Sequence, residues 1–535
     1  MIQKSRNNWL VVLIQSYILI GLIVFGLIYA ANPSGFMFSV EASFQILCYF
    51  FLLLIPWIFG SWYWTTKRLF DPYLLFLLSA ILFNGGQIIL EVFHLNEKGF
   101  LDNRFPLLVS LEVVYIVMLS LSAVHFGAIL SAVLDLQKRH TAEFADRNST
   151  IILHSQSGIK QSLTPDRPFY YPSRIKKSAP AELIAPISPE IALFIGQIFL
   201  YLSIIPVVAT VVGAVQIAKS GGYGSLFEQQ AATGFAASAG VMADFIFPGV
   251  YLIIAGGERK PALRIFAVIY LLGYTLAKFT IGSRGAAVMP LLAMLWLWNS
   301  VVHPIPRSLL AAFAAVLLFV VFPVIGATRN DVAGVDLFSI EFLTKTLTSV
   351  NNPLVASIAE MGFSATTIAW TMELVPKVRP FDLGMSFLVS ILTLIPNIFS
   401  SGRHPALTMS GYDTPDNWLV GIIDPIFASQ GGGLGFSFIS EAYLNAGWFG
   451  IIILGLVGFL FAKFVQWAIQ DRDPVKMAII AIFVSFFLVY PRASSQLVLR
   501  PLIWYCLFPY LWMQRIDRIN RSKAKDRDTP SPPSK

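Results

Sequence analysis

Charge is scarce in this sequence. Lys, Arg, Asp and Glu make up 13% of the 535 residues, about half the share of a soluble globular chain. Hydrophobic residues make up 56%, and the mean hydropathy is +0.69. So little charge excludes an ordinary water-soluble domain and leaves the bilayer as the solvent. Cysteine is nearly absent too: Cys48 and Cys506 both sit inside apolar runs, which excludes a disulfide framework and a cysteine metal site. There is no Walker loop, metal-ligand spacing, Ser-His-Asp order or paired Asp-x-Asp after the first apolar run. Metal- or nucleotide-driven chemistry therefore has no support, no cofactor is expected, and any energy must come from an activated substrate. The run Gly431-Gly432-Gly433-Leu434-Gly435 lacks the strand-turn-helix context of a nucleotide fingerprint and reads as a flexible turn.

What the chain has is apolar length. Stretches near the roughly 17 to 25 residues of a membrane span fall at 9–30, 42–64, 73–92, 107–134, 191–217, 235–255, 265–281, 286–302, 308–327 and 448–469, with shorter ones at 477–490 and 501–513. The fold class is thus all-α, a polytopic membrane helix bundle of about 12 spans. Lys4 and Arg6 precede a first run too long for the core of a secretory signal, so it reads as an uncleaved span. Aromatic clusters such as Trp62-Tyr63-Trp64 and Trp504-Tyr505 stand at segment ends, as membrane-interface anchors do.

The net charge of +8 follows from topology, and no nucleic-acid partner is expected. Basic residues gather at Lys67-Arg68, Arg259-Lys260, Arg264, Arg307, Arg472, Lys476 and in the tail from Arg515 to Arg527. All fall on one side of a twelve-span chain, which makes both termini cytoplasmic by the positive-inside rule. The expected organisation is spans 1–4 in 1–134, a basic, Pro-rich flexible cytoplasmic loop at 135–190, spans 5–9 in 191–327, a large outer loop at 328–445, spans 10–12 in 446–513 and a disordered basic tail at 514–535. Within the outer loop, 383–399 is apolar enough to resemble a span. A crossing there would put the basic tail outside, so an interfacial or re-entrant helix broken near Pro396 is expected. No internal repeat is visible.

Ionisable groups at membrane depth are costly and mark functional candidates. Arg284 lies in a Gly282-Ser283-Arg284-Gly285 turn between two short spans, and Arg492 and Arg500 flank the turn between the last two. Short spans draw these turns toward the outer leaflet. Arg329 opens the outer loop, and Arg403-His404 follows the interfacial segment. Several guanidinium forks at headgroup depth suit a phosphate or diphosphate. The other reading is boundary arginines snorkelling to lipid phosphates. Carboxylates on the same side are Asp413, Asp416, Asp424 and Glu441. Such a group deprotonates a hydroxyl nucleophile, or else caps a helix or pairs with an arginine. His404 is a proton carrier or loop surface. Asp244, Glu112, His125 and Lys278 lie inside spans, where packing against bundle partners is the expectation.

The residues Asn84-Gly85-Gly86-Gln87, Gly282-Ser283-Arg284-Gly285, Phe322-Pro323 with Arg329, Pro396-Asn397, the run from Ser440 to Gly450 (SEAYLNAGWFG) and Pro491-Arg492 together resemble the O-antigen polymerase family, which polymerises oligosaccharide repeat units. The resemblance covers mainly 265–513. It implies a C-type membrane glycosyltransferase of the bacterial inner membrane, working without a metal on polyprenyl-diphosphate-linked oligosaccharide donor and acceptor at the periplasmic face. It implies membrane lipids as surroundings, and chain-length regulator and flippase proteins as partners. By that resemblance Arg284, Arg329, Arg403, Arg492 and Arg500 bind diphosphate, and Glu441, Asp413, Asp416 or His404 serves catalysis. The 135–190 insertion departs from the family's usual short loop. An O-antigen ligase shares the plan. A flippase or transporter would instead use Asp244 and Lys278 along a midplane path, with duplicated halves that this sequence lacks.

Overall fold

A computed structural model of the chain describes residues 2–31, 39–156, 186–221, 235–322, 352–395 and 404–528. Hydrocarbon offers no partner to backbone N–H and C=O groups, so apolar runs close their hydrogen bonds internally as helices. Among the described residues there is no strand. The N-terminal helices are α1 (Ile2–Ala31), α2 (Val40–Thr66), α3 (Pro72–Val92) and α4 (Leu107–Gln156), followed by α5 (Pro189–Gly221), α6 (Phe235–Ala243), α7 (Ile246–Gly256), α8 (Pro261–Thr280), α9 (Arg284–Val301) and α10 (Arg307–Val316). Six short helices come next: α11 (Pro353–Gly362), α12 (Ser364–Leu374), α13 (Met385–Leu392), α14 (Pro405–Ser410), α15 (Pro415–Ile423) and α16 (Pro425–Ser429). The chain ends with α17 (Phe438–Ala446), α18 (Gly450–Gln470), α19 (Pro474–Phe487), α20 (Gln496–Pro501) and α21 (Phe508–Asp528).

Nine described helices are long and apolar enough to cross a membrane, and two shorter apolar helices, Gly285–Val301 and Arg307–Val321, accompany them. The protein is a multi-pass membrane helix bundle, with fewer full-length spans among the described residues than the twelve expected. The difference lies in the short members. The expected run 501–513 enters a π-helical turn at Leu502–Leu507 and continues into α21, which carries Arg515, Asp517, Arg518 and Arg521. Helix α4 continues to Gln156, through the first part of the segment expected to be flexible; residues 157–185 lie outside the described residues. Helix α13 has 8 residues, about 12 Å of rise, too short to cross by itself; residues 396–399 of the expected 383–399 segment lie outside the described residues.

Local sequence explains the starts. Asp71-Pro72 and Asp473-Pro474 open α3 and α19: each aspartate accepts a bond from a first-turn N–H, and proline at the next position presets the helical φ. Small residues explain the closest crossing. Helix α18 packs more extensively against α4 than against any other element. There a Cβ on Gly127 would collide with Gly455 O, and one on Gly458 with Val124 O, so the two backbones meet without intervening side chains. Large apolar side chains such as Leu53, Ile205 and Ile452 remain exposed on the bundle, which is costly in water and not in lipid. Beneath the short helices, Phe76 stacks on Phe487 at 4.7 Å, Phe461 meets Phe487 at 4.3 Å and Phe438 meets Tyr490 at 5.6 Å. This aromatic layer binds α3, α17, α18 and α19 into one floor.

Candidate active site

On that floor stands Glu441, 0% exposed, in the first turn of α17. Ser437 caps the helix by accepting from Ile439 N at 3.1 Å, and its hydroxyl donates to Asn84 Oδ1 at 2.6 Å. A buried carboxylate needs donors, and Glu441 has three. Ser495 N donates to Oε2 at 2.6 Å, Ser495 Oγ to Oε1 at 2.7 Å and Ser386 Oγ to Oε1 at 3.1 Å. Asn445 Nδ2 donates to Ser386 Oγ at 2.7 Å and to Glu441 O at 2.7 Å, and Gly384 N donates to Asn445 Oδ1 at 2.9 Å. Three elements distant in sequence, α13, α17 and the turn before α20, thus close around one carboxylate.

Asp416, in the first turn of α15, interacts electrostatically with Glu441. Its Oδ1 is buried without a hydrogen-bond partner. Asp413 Oδ1 accepts from Thr414 N at 3.0 Å, a local turn contact. Asp424 caps α16, accepting from Phe427 N at 2.9 Å. His404 caps α14 by accepting from Ala406 N at Nδ1, 3.1 Å, which makes Nε2 the donor to Ile395 O at 3.0 Å. Both ring nitrogens are therefore engaged. Of the four expected catalytic residues, Glu441 and Asp416 come together, while Asp413 and His404 make local contacts.

The arginines divide similarly. Arg492 follows the Tyr490 turn, three residues before Ser495. Its guanidinium lies 5.9 Å from the Phe83 ring, and its carbonyl accepts from Phe436 N at 3.3 Å. Gly435 beside it has φ +75°, and a Cβ there would stand 3.1 Å from Arg492 Nε, so glycine serves both the backbone and the arginine. Arg284 opens α9, and a Cβ on the neighbouring Gly285 would stand 3.6 Å from Val489 Cγ2, three residues before Arg492. Arg500 donates from Nη2 to Thr393 O at 3.1 Å, while Gln496 reaches Thr393 Oγ1 and Trp504 Nε1 reaches Leu394 O. These three side chains hold the C-terminal end of α13. Arg329 and Arg403, with Pro396 and Asn397, lie outside the described residues.

Sequence reasoning missed an ion pair. Arg379 and Asp382 form a bidentate bridge at 2.9 and 2.7 Å, with side chains 3% and 5% exposed. The guanidinium lies between the rings of Tyr412 and Trp418, at 4.3 and 4.7 Å. Burial raises the Asp382 carboxyl above its ordinary value, opposed by the Arg379 bonds. Asp382 N and Leu383 N donate to Leu444 O and Asn445 O at 2.9 and 3.1 Å. Arg379 thereby ties the segment that carries Asp413 and Asp416 to the C-terminal end of the Glu441 helix. The available signal was Arg-Pro-Phe-Asp, a charge pair at i,i+3.

The Asn84-Gly85-Gly86-Gln87 motif is the frame beneath. Asn84 Nδ2 donates to Pro491 O at 3.1 Å and Gln87 Nε2 to Ala359 O at 3.0 Å. A Cβ on Gly86 would stand 3.0 Å from Ile358 O, so α11 rests directly on α3. Inside the bundle His125 is buried and bonded, with Nε2 2.7 Å from Ser61 Oγ and Nδ1 3.2 Å from Tyr73 OH. Asp244 interacts electrostatically with Lys278 and Arg500. Among the described residues no three His, Cys, Asp or Glu side chains converge as metal ligands would.

The described residues form a multi-pass membrane helix bundle in which short helices close over a buried carboxylate near one end of the spans. The sequence profile of the O-antigen polysaccharide polymerase Wzy matches residues 188–519, more than half of the chain and all of the elements that surround Glu441 except α3. The chain belongs to that family, and its activity is of the polymerase kind, on oligosaccharide repeat units in a membrane. No curated protein and no solved structure matches it.

Proposed function

We propose that the protein polymerises polyprenyl-diphosphate-linked oligosaccharide repeat units into surface polysaccharide at the periplasmic face of the bacterial inner membrane, with both termini in the cytoplasm. A hydroxyl of the acceptor unit attacks the anomeric carbon of the donor. The bond from that carbon to the lipid diphosphate breaks, the diphosphate leaves with the electron pair, and the hydroxyl proton passes to a carboxylate. Glu441 or Asp416 takes that proton, with Asp413 and His404 as secondary candidates. Arg284 and Arg492, joined by Arg329, Arg403 and Arg500, grip diphosphate, where preorganised donors stabilise the charge that develops on departure. The activated donor drives the reaction, which as proposed uses no metal. Chain-length regulator and flippase proteins are its partners.

The observation that carries this reading is the convergence on Glu441: a fully buried carboxylate held by three donors, next to Asp416. Two measurements test it. In a deletion strain, single repeat units on lipid support a polymerase, whereas accumulated unattached polymer means a ligase. Reporter fusions after residues 134, 350 and 518 should read inside, outside, inside, and an inside signal at 350 removes the topology.

A further inference from the structure

The other end of the bundle holds a second charged site. Glu441 precedes α18 and Arg472 follows it, so 21 helical residues, about 31 Å, separate them. Arg68, in the turn between α2 and α3, interacts electrostatically with Arg472 and Arg139, which places it at the Arg472 end. There, between that turn and the one joining α9 to α10, lies a cavity of about 470 Å³. Arg68, Asn299 and Arg307 line it among apolar side chains that include Phe70, Ile305 and Leu310.

Its polar lining offers donors. Asn299 Oδ1 is occupied, accepting from Ile305 N at 2.8 Å, which leaves the amide NH₂. Arg307 is exposed, and no described acceptor meets it. Arg68 Nη1 is enclosed without a hydrogen-bond partner, although a buried guanidinium donor left unmade is costly. Burial, ahead of repulsion from Arg139 and Arg472, pulls the Arg68 pKa below its ordinary value, and Asp71 opposes this. Asp71 accepts from Tyr73 N at Oδ1, 2.9 Å, while its Oδ2 is buried without a hydrogen-bond partner, so its interaction with Arg68 is one of charge alone.

We propose that this cavity binds a phosphate ester, held by Arg68, Arg307 and the Asn299 amide, with the apolar lining against the glycerol and upper acyl part of an anionic lipid. Two guanidinium forks and an amide NH₂ match phosphate oxygens, and nothing acidic lines the cavity to compete. The positive-inside rule places basic residues on cytoplasmic loops in general. It does not account for a cavity whose charged lining side chains are both guanidiniums, nor for a guanidinium Nη1 enclosed without a hydrogen-bond partner. The site is independent of the chemistry proposed at Glu441.

The test uses the full chain in uncharged maltoside detergent. Its thermal unfolding, followed by intrinsic tryptophan fluorescence, is titrated separately with dihexanoyl phosphatidate, inorganic phosphate and dihexanoyl glycerol. Saturable stabilisation by phosphatidate and none by the uncharged glycerolipid is the expected result. A matching response to inorganic phosphate names a soluble phosphate as the source, and its absence names the lipid headgroup. Arg307→Gln and Arg68→Gln should each weaken half-saturation by about tenfold or more, the worth of a charge-assisted bond. Arg307 is exposed, so its variant folds and decides the matter even if Arg68→Gln does not. No saturable response to either phosphate compound, an equal response to the glycerolipid, or undiminished binding in Arg307→Gln overturns the proposal.

Discussion

His125 and Glu441 are both fully enclosed and both hydrogen-bonded, yet their surroundings differ in kind. The histidine has one partner for each ring nitrogen, Ser61 and Tyr73, both from neighbouring bundle helices, and its bonding capacity is used up. The glutamate is gripped by two serines from elements 54 and 55 residues away in sequence, faces a second carboxylate, and lies near a turn carrying Arg492. Burial with satisfied hydrogen bonds is the usual state of a core polar group. A polar group becomes a candidate for chemistry when charges from distant parts of the chain are brought to it without an evident need of the fold.

The sharpest way to break that contrast is Glu441→Gln, read as polymer formed from purified lipid-linked repeat units. Loss of a general base costs about 10² to 10⁴ in rate, so product should be nearly abolished while the detergent-extracted protein remains monodisperse. Near-normal polymer would reduce Glu441 to the status of His125. Next in size is Arg492→Lys. An ammonium does not reproduce the bidentate fork, and a charge-assisted contact contributes about 1.5 to 3 kcal/mol, so roughly ten- to a hundredfold should be lost at unchanged protein level. Ser495→Ala removes one bond to Glu441 and leaves the backbone N–H donor; about tenfold loss of rate is expected from one charge-assisted bond. The smallest effect belongs to Ser61→Ala. Loss of a neutral bond to His125 should lower stability by about 1 kcal/mol, seen in thermal unfolding, with the polymerisation rate unchanged. A rate loss there as large as that of Ser495→Ala would erase the distinction between the two sites.

The helices were legible because lipid enforces one solution: apolar length alone announces α1 to α5 and α18, and Asp-Pro pairs announce several starts. The count of twelve was less secure, because 286–302, 308–327 and 501–513 are short or run into irregular turns, where length no longer distinguishes a span from a packed helix. Glu441 and Asp416 were legible as carboxylates worth singling out. Their convergence was not, since it depends on Ser386 and Ser495, residues too common to notice until α13 and the turn before α20 fold onto α17. His404 read as either a proton carrier or loop surface because a loop histidine carries no sign of capping a helix, although the following proline suits a first helical position. Arg500 looked like its neighbour Arg492, and only the tertiary structure shows its Nη2 bonded to Thr393 O at the end of α13.

The crossing of α4 and α18 at Gly127, Gly455 and Gly458 has a mechanical consequence. Two backbones in direct contact have no side chains between them to rearrange, and α17 abuts the start of α18, where a Cβ on Gly450 would collide with Ala442 O. The floor is therefore fixed, and if glycan is taken up at Glu441 as proposed, the segment that has to yield is the short helices and glycine run between residues 411 and 435. Amide exchange tests this: slow exchange over 438–470 with fast exchange over 411–435 is expected, and equal rates in the two stretches would mean that the floor itself breathes.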